Sequence, residues 1–397
     1  MRRTIMKAFI MKALKIIGVV LLLISFLAFI LYKCTNFLVS DKIDSSTVYF
    51  LNGKWIEVPV QINGSDAYGL FDTGASICAI DKSAISKFDV YKIPLKLIPI
   101  NNHTWHSLCI IKHLEIGDVV FKNVLAVVLD LKTNNKSLRC AQSDMIIGTP
   151  IINQLCWDFN FGSKKLFVSK SNSFVREREF NNSILYSGKN LLKTDVRING
   201  HIHNLLIDFG YTSSIMLPLN FADSSLGAKY VSSEKQDIFG NYYEEGVRGI
   251  SDIVFGIDTV KNVRIEYNDI ITSILGLGFI KRYSGVIIDP FEKRLYFEEG
   301  KKNNLGTRFY GFGLNFGIQN NSLMVTSVSE SSPAQKAGVK HGDSIFQICN
   351  EKLSDYLLAT DYCNFLQMRD SLLSQETLQI KIVRKDTISI SLNKDFF

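Results

Sequence analysis

Apolar positions in this chain fall in short runs broken by Asn, Gly and charged residues, the pattern of β-strands joined by tight turns. One such unit occurs twice. "VPVQINGSDAYGLFDTGASICAID" begins at Val58 and "TDVRINGHIHNLLIDFGYTSSIML" at Thr194. Each copy predicts a strand, an Asn-Gly turn and a second apolar strand that ends in an aspartate. The same offset separates Gly64 from Gly200 and Asp72 from Asp208, so the unit is a true internal repeat. The correspondence continues downstream. "DMIIGTPIINQ" and "SILGLGFIKR" each place two aliphatic residues before a glycine (Gly148 and Gly276), and "WDFNFGSKKLFV" and "IIDPFEKRLYF" each predict a hairpin with a charged turn. "EIGDVVFKNVLAVVLD" and "DIVFGIDTVKNVRIEY" lie between these landmarks and are strand-like around a polar turn. Two homologous β-rich lobes are therefore expected at 45–170 and 180–299, joined by the polar segment "SKSNSFVRERE".

The N-terminus breaks this pattern. Ile16 to Tyr32 carries no charge, and Arg2, Arg3, Lys7, Lys12 and Lys15 precede it. A run of this length is near the lower limit for crossing the hydrocarbon core, and the flanking charge predicts a cytoplasmic N-terminus with the bulk of the chain outside, in the periplasm of a two-membrane bacterium. Leu31, Tyr32 and Lys33, just before Cys34, suit neither a small-residue cleavage site nor a lipoprotein box. The expectation is an uncleaved, single-pass anchor within residues 1–36.

The 397 residues are too many for a single core, and the 46% apolar content indicates packed structure rather than disorder. A net charge of +7, with Lys and Arg scattered, gives no basic run of the nucleic-acid-binding kind. The seven cysteines form no Cys-x-x-Cys pair, which argues against a zinc ribbon; most read as small apolar fillers, and no disulfide pairing follows from their positions. Two close histidine pairs, His103 with His106 and His201 with His203, lack a nearby ligand set, so no metal is expected.

The candidate chemistry lies at the ends of the repeated hairpins, in Asp72-Thr73-Gly74-Ala75-Ser76 and Asp208-Phe209-Gly210-Tyr211-Thr212. Glycine after Asp-x allows a sharp turn and close approach of a second lobe. Two carboxylates brought together cannot both ionise, so they share a proton and their titrations split. With Ile146-Ile147-Gly148 and the duplication, these motifs resemble the aspartic proteases, in particular the small-lobed, retropepsin-like bacterial kind, over roughly 250 residues. That resemblance implies Asp72 and Asp208 as the catalytic dyad, supported by Thr73, Gly74, Ser76, Gly210 and Thr212. It also implies a cleft between two distorted barrels, a monomeric protease unit, a polypeptide substrate and no cofactor. Hairpin flaps over the cleft are expected with Asn102, Trp105, Gly240 and Tyr242 near their tips; two ordinary exposed hairpins are the other reading. The second motif departs from the family at Phe209, where a threonine would cross-link the two loops, and at bulky Tyr211. A protease-fold binding protein without hydrolysis is therefore the alternative.

Beyond the connector at 298–306, Ser332-Pro333-Ala334, Ala337-Gly338 and Gly342-Asp343 resemble the signature of PDZ domains, over 307–397. The resemblance implies a carboxylate-binding loop at Phe312, Gly313 and Leu314, and a peptide segment or C-terminus as partner. Tyr362, Phe365, Leu366 and Leu372 recur at helical spacing and are expected to form the other groove wall. The expected fold is thus mainly β: two homologous acid-protease-type β lobes and an α+β PDZ domain, behind an N-terminal transmembrane helix.

Overall fold

The computed structural model describes residues 45–397 except 101–103, 177, 181, 223–228, 238–239, 270–271, 300–309, 320–321, 350, 353–361, 385 and 397, together with 38–39 and the single positions Gly18, Leu22 and Ser25. Among the described residues no helix is long and apolar enough to cross a membrane. The expected anchor, Ile16 to Tyr32, lies outside the described residues apart from those three positions.

Each repeat builds the same arrangement. Ile56–Ile62 and Ser65–Phe71 form a hairpin, as do Lys193–Ile198 and His201–Asp208. The Asn-Gly turns adopt the left-handed backbone that such two-residue connections require, with φ of 51° and 83° at Asn63-Gly64 and 48° and 81° at Asn199-Gly200. Alternating burial along Lys193–Ile198 gives a core face and a solvent face, while the second strand of each hairpin is buried toward its end. That second strand is flanked by a parallel partner, Met145–Ile147 in the first lobe and Ile274–Gly276 in the second. A further strand, Cys78–Asp81 or Ile215–Pro218, runs antiparallel to this partner and parallel to the long strand Val119–Leu129 or Asp258–Asn268.

Each lobe closes into its own barrel, through the pairing of Thr104–Ile116 with Val119–Leu129 in the first and of Lys193–Ile198 with Gly240–Phe255 in the second, and a further sheet joins the two. Ser45–Tyr49, Cys156–Asn160 and Lys165–Ser169 join Asn182–Leu185, Gly285–Asp289 and Arg294–Phe297 in one six-stranded sheet. Its central pairing crosses the repeat boundary, with Trp157 opposite Ile288 and Phe159 opposite Val286. One continuous apolar core accordingly runs through both lobes. The polar segment between them is pinned rather than loose: it contains the helical turn Ser173–Arg176, and Arg178 pairs with Asp158 and Glu298.

The C-terminal module has its own core and a five-membered sheet path in which Leu314–Gln319 is an edge strand, paired only with Ser322–Val328 among the described residues. Pro333–Lys336 is a short helix capped by Ser332, whose hydroxyl accepts from the Gln335 N–H at 3.2 Å, and Gly338 follows it with φ 79°. The second helix, Tyr362–Ser374, turns Phe365 and Leu372 into the core.

Candidate active site

The hairpins deliver the two aspartates to one place. The Asp72 N–H donates to the Ile147 carbonyl at 3.1 Å, which fixes the first loop on its parallel neighbour. Asp208 is the last residue of its strand, in register with Gly276. In each loop the glycine N–H two residues on donates to the aspartate's Oδ1 at 2.8 Å, and Tyr211 N–H adds a second donor to Asp208 at 3.1 Å. The carboxyls are hydrogen-bonded to each other. Each also lies against the opposite loop: a methyl group added at Gly74 would stand 2.6 Å from the Asp208 carboxyl carbon, and one added at Gly210 would stand 2.7 Å from an Asp72 oxygen. Only glycine permits that approach.

Burial is the main cause that raises both carboxyl pKa values. Asp72 is held well above the ordinary range, with the Asp208 charge as the next cause. Asp208 is raised less, because the Asp72 hydrogen bond and the N–H groups of Gly210 and Tyr211 favour its charged form. The pair thus keeps one proton at a pH where isolated carboxyls are ionised, and its apparent values belong to the pair.

Thr73 supplies the cross-link from the first loop to the second. Its buried hydroxyl donates to the Ile207 carbonyl at 2.7 Å and accepts from the Phe209 N–H at 3.0 Å. Phe209 brings only its backbone to this contact. Its ring is fully buried, 5.6 Å from Phe71 and 6.0 Å from Phe159 between ring centres. The Tyr211 hydroxyl donates to Glu266 at 3.1 Å, and its ring lies against Gly276. Ser76 is exposed, the surface position that was one of the two readings of it; Thr149 ties the first loop through Ala75, with its N–H at 2.8 Å and its hydroxyl at 3.2 Å from the Ala75 carbonyl. Thr212 lines, with Gly210 and Trp55, a cavity of about 240 Å³ that Phe316 and Gly317 of the PDZ domain also border. Trp55 also donates from its indole N–H to the Gly210 carbonyl at 3.1 Å. Trp55 and Thr149 escaped the sequence reading, Trp55 because its loop carries no motif and Thr149 although it directly follows Gly148.

Residues 58–151 match the family model for aspartyl proteases, and residues 301–359 match that for PDZ domains. The two matches bear out the resemblance to retropepsin-like aspartyl proteases and to PDZ domains. No curated protein matches the sequence. The protease match covers Asp72 and Gly148 and supports a peptidase-type enzyme. The second lobe lies beyond it, and its relation to the first rests on the repeated strands.

Both protease hairpins expected as flaps exist as strand pairs. Tyr91–Ile100 pairs with Thr104–Ile116, with Trp105 opposite Pro99 and exposed; Asn102 lies outside the described residues. Lys229–Asp237 pairs with Gly240–Phe255. Gly240 and Tyr242 are not the turn itself: Gly240 pairs with Asp237 and Tyr242 with Lys235, so the ladder continues through them to 238–239, which lie outside the described residues. Strand Lys229–Asp237 packs against Ser322–Val328 of the PDZ domain.

In the PDZ domain Phe312 is buried, Gly313 has φ 69° and Leu314 opens the edge strand. Phe365 and Leu372, expected in the groove wall, belong to the core, because the helix turns its most apolar stripe inward; Tyr362 and Leu366 are half-buried beside it. A disulfide between Cys140 and Cys363, Cα atoms 5.2 Å apart, ties this helix to the first protease lobe. The sequence could not supply that pairing; Cys78, Cys109 and Cys156 are free and buried, as small apolar fillers are, and burial pushes the Cys78 and Cys109 thiols up to about 12.

Proposed function

We propose that the protein is an aspartic endopeptidase in which Asp72 and Asp208 form the catalytic dyad. The observation that carries this reading is the mutual contact of two buried carboxyls, each seated against the glycine of the opposite loop. One charged carboxyl takes a proton from a water held between them, and the water oxygen attacks the peptide carbonyl carbon. The protonated carboxyl donates to the carbonyl oxygen, giving a neutral tetrahedral adduct that collapses as the amine leaves with a proton. Preorganised N–H donors at each aspartate keep the pair in place through both steps. The alternative is a non-hydrolytic scaffold, motivated by Phe209 and Tyr211; the burial of the Phe209 ring in the core and the Tyr211–Glu266 hydrogen bond support the hydrolytic reading.

The reading extends to the whole chain as a single-pass protein of the cytoplasmic membrane. Its anchor is the Ile16 to Tyr32 run, its catalytic and PDZ domains are extracytoplasmic, and the PDZ domain binds substrate peptide. The test is cleavage of a reduced, alkylated polypeptide by the full chain in detergent micelles. The expected rate profile is bell-shaped in pH, since activity needs one proton on the pair, and it falls at least about 1000-fold in Asp72→Asn and Asp208→Asn. Full activity in Asp72→Asn would refute the assignment.

A further inference from the structure

The tie between Trp55 and the second catalytic loop passes through a single peptide unit. The Trp55 indole N–H donates to the Gly210 carbonyl at 3.1 Å, and the N–H at the other end of that peptide, of Tyr211, donates to Asp208 Oδ1 at 3.1 Å. The peptide is trans, so it points its carbonyl at the indole and its N–H at the carboxylate. A peptide whose carbonyl accepts a hydrogen bond is polarised and donates more strongly from its N–H. The Gly210 N–H adds a direct donor to the same oxygen at 2.8 Å.

The first loop is built differently. At the offset that relates Asp72 to Asp208, Leu191 stands where Trp55 would, and its side chain has no donor. The Ala75 N–H, counterpart of the Tyr211 N–H, donates to the Asp72 main-chain carbonyl at 3.4 Å and is the least of the influences on the Asp72 carboxyl. Hydrogen bonds from Gly210 and Tyr211 favour the charged form of Asp208, whereas Asp72 is held well above the ordinary carboxylate range. The repeat gives the two carboxyls like positions; the Trp55 relay makes them unlike. Trp55 is itself fixed. Its half-buried ring packs on the protease core, Lys54 Nζ lies 4.7 Å from the ring centre, and Lys281 of the second lobe donates to the Gly53 carbonyl at 2.9 Å. Asp72 is the titratable group in contact with Asp208. Around the relay stand Lys54 beside the indole, Glu266 at the Tyr211 hydroxyl, Arg248 and Arg264 with Glu266 at the cavity beside Ser213, and Arg369 across the Trp55 cavity. A change confined to the indole leaves all of these in place.

We propose that Trp55 is a positioning residue for Asp208: acting through the Gly210–Tyr211 peptide, its indole N–H holds the negative charge of the pair on Asp208 and leaves the shared proton on Asp72. In the hydrolytic reading, on which these roles rest, Asp208 is then the base that takes a proton from the attacking water, and Asp72 the acid that donates to the substrate carbonyl oxygen. Trp55 comes from the first lobe and Asp208 from the second, so the charge on the base is set by contact between lobes. Loss of the indole N–H weakens the support for that charge. The pair then takes up its second proton at higher pH, and the acid limb of the rate profile moves up with it.

The test uses the full chain in detergent micelles with two changes at one position: Trp55→Phe, and β-(3-benzothienyl)alanine in place of Trp55, which keeps the fused ring and replaces the N–H with sulfur. Matching thermal melts establish folding, and the benzothienyl chain carries the test if the smaller phenylalanine ring loosens the loop. Carboxyl carbons are followed by NMR in protein labelled with carbon-13 aspartate, the dyad signals being identified by their loss in Asp72→Asn and Asp208→Asn. At the pH where the pair holds one proton, both changes should move the Asp208 carbon toward its protonated shift and the Asp72 carbon toward its ionised one. The acid limb of peptide cleavage should rise by about 0.5 pH unit, a roughly threefold loss of rate on that limb. A merely structural role would lower kcat and leave both the reciprocal shift and the limb unmoved. No reciprocal shift in either chain, or one confined to Trp55→Phe, overturns the proposal. The NMR readout needs no turnover: a reciprocal shift in a chain that cuts nothing leaves the relay standing and removes hydrolysis, whereas cleavage with no reciprocal shift does the reverse.

Discussion

Asp72 is poorly solvated in the folded chain, and the cost of ionising it there is what suits it to the acid's part in the proposed mechanism. The same cost appears in stability. Unfolded, the side chain titrates at about pH 4; folded, burial and the neighbouring Asp208 hold its pKa well higher. Below about pH 4 both states carry the proton and nothing is lost. As pH rises above that value the unfolded chain releases the proton first, so folding stability falls until the folded pair has also titrated. Asp72→Asn removes the ionisable group and should melt higher than the unsubstituted protein at pH 7, by about 2–4 °C for each kcal/mol relieved. The gap should close below about pH 4. A variant that melts lower at pH 7, or a gap that persists at pH 3, would show that desolvation does not dominate at this site. The sequence placed both aspartates correctly on hairpin ends because an Asn-Gly turn fixes register within a few residues. It read Phe209 correctly as lacking the hydroxyl for a cross-link from the second loop, but a side-chain motif says nothing about backbone donors, and the Phe209 N–H still donates to Thr73.

At the scale of elements, the repeated hairpins were legible and the pairing between repeats was not. Period-two burial and turn residues are local signals, whereas Trp157 opposite Ile288 is a contact between distant segments that no periodicity announces. The Cys140–Cys363 bond was hidden for the same reason, with a sequence separation of 223. It joins the turn after the short helix Lys136–Arg139 to the helix Tyr362–Ser374. An oxidising compartment suits such a bond, in keeping with the proposed extracytoplasmic location. Reduction, or Cys140→Ser with Cys363→Ser, should leave the protease core folded, since its apolar cluster is separate from that of the PDZ domain. Amide hydrogen exchange should then rise in Tyr362–Ser374 and in the edge strand Leu314–Gln319, while protection of the six-stranded sheet is unchanged. Uniform exchange in both states would mean that non-covalent packing alone fixes the PDZ domain.

For the whole molecule, the shared sheet decides what one chain accomplishes by itself. Three strands from each repeat lie side by side in one sheet, and the core crosses the boundary without a break, so the two aspartates meet through pairing within one polypeptide. A dimer that supplies one aspartate from each partner needs no such sheet inside a single chain. Specific activity should therefore be independent of protein concentration. A sharper measurement mixes two inactive chains, one Asp72→Asn and the other Asp208→Asn. If each active site draws both aspartates from its own chain, every site in the mixture lacks one carboxyl, and activity stays at the level of the single variants. If sites form between chains, mixing restores a site with both carboxyls intact and activity returns well above that level. Unfolding the two variants together and refolding them gives exchange every opportunity to occur, since it dissolves the six-stranded sheet that would otherwise keep the lobes of one chain together. Silence after that treatment is the outcome expected from a sheet in which Cys156–Asn160 and Gly285–Asp289 pair directly, since lobes joined by so short a chain find each other faster than they find another molecule.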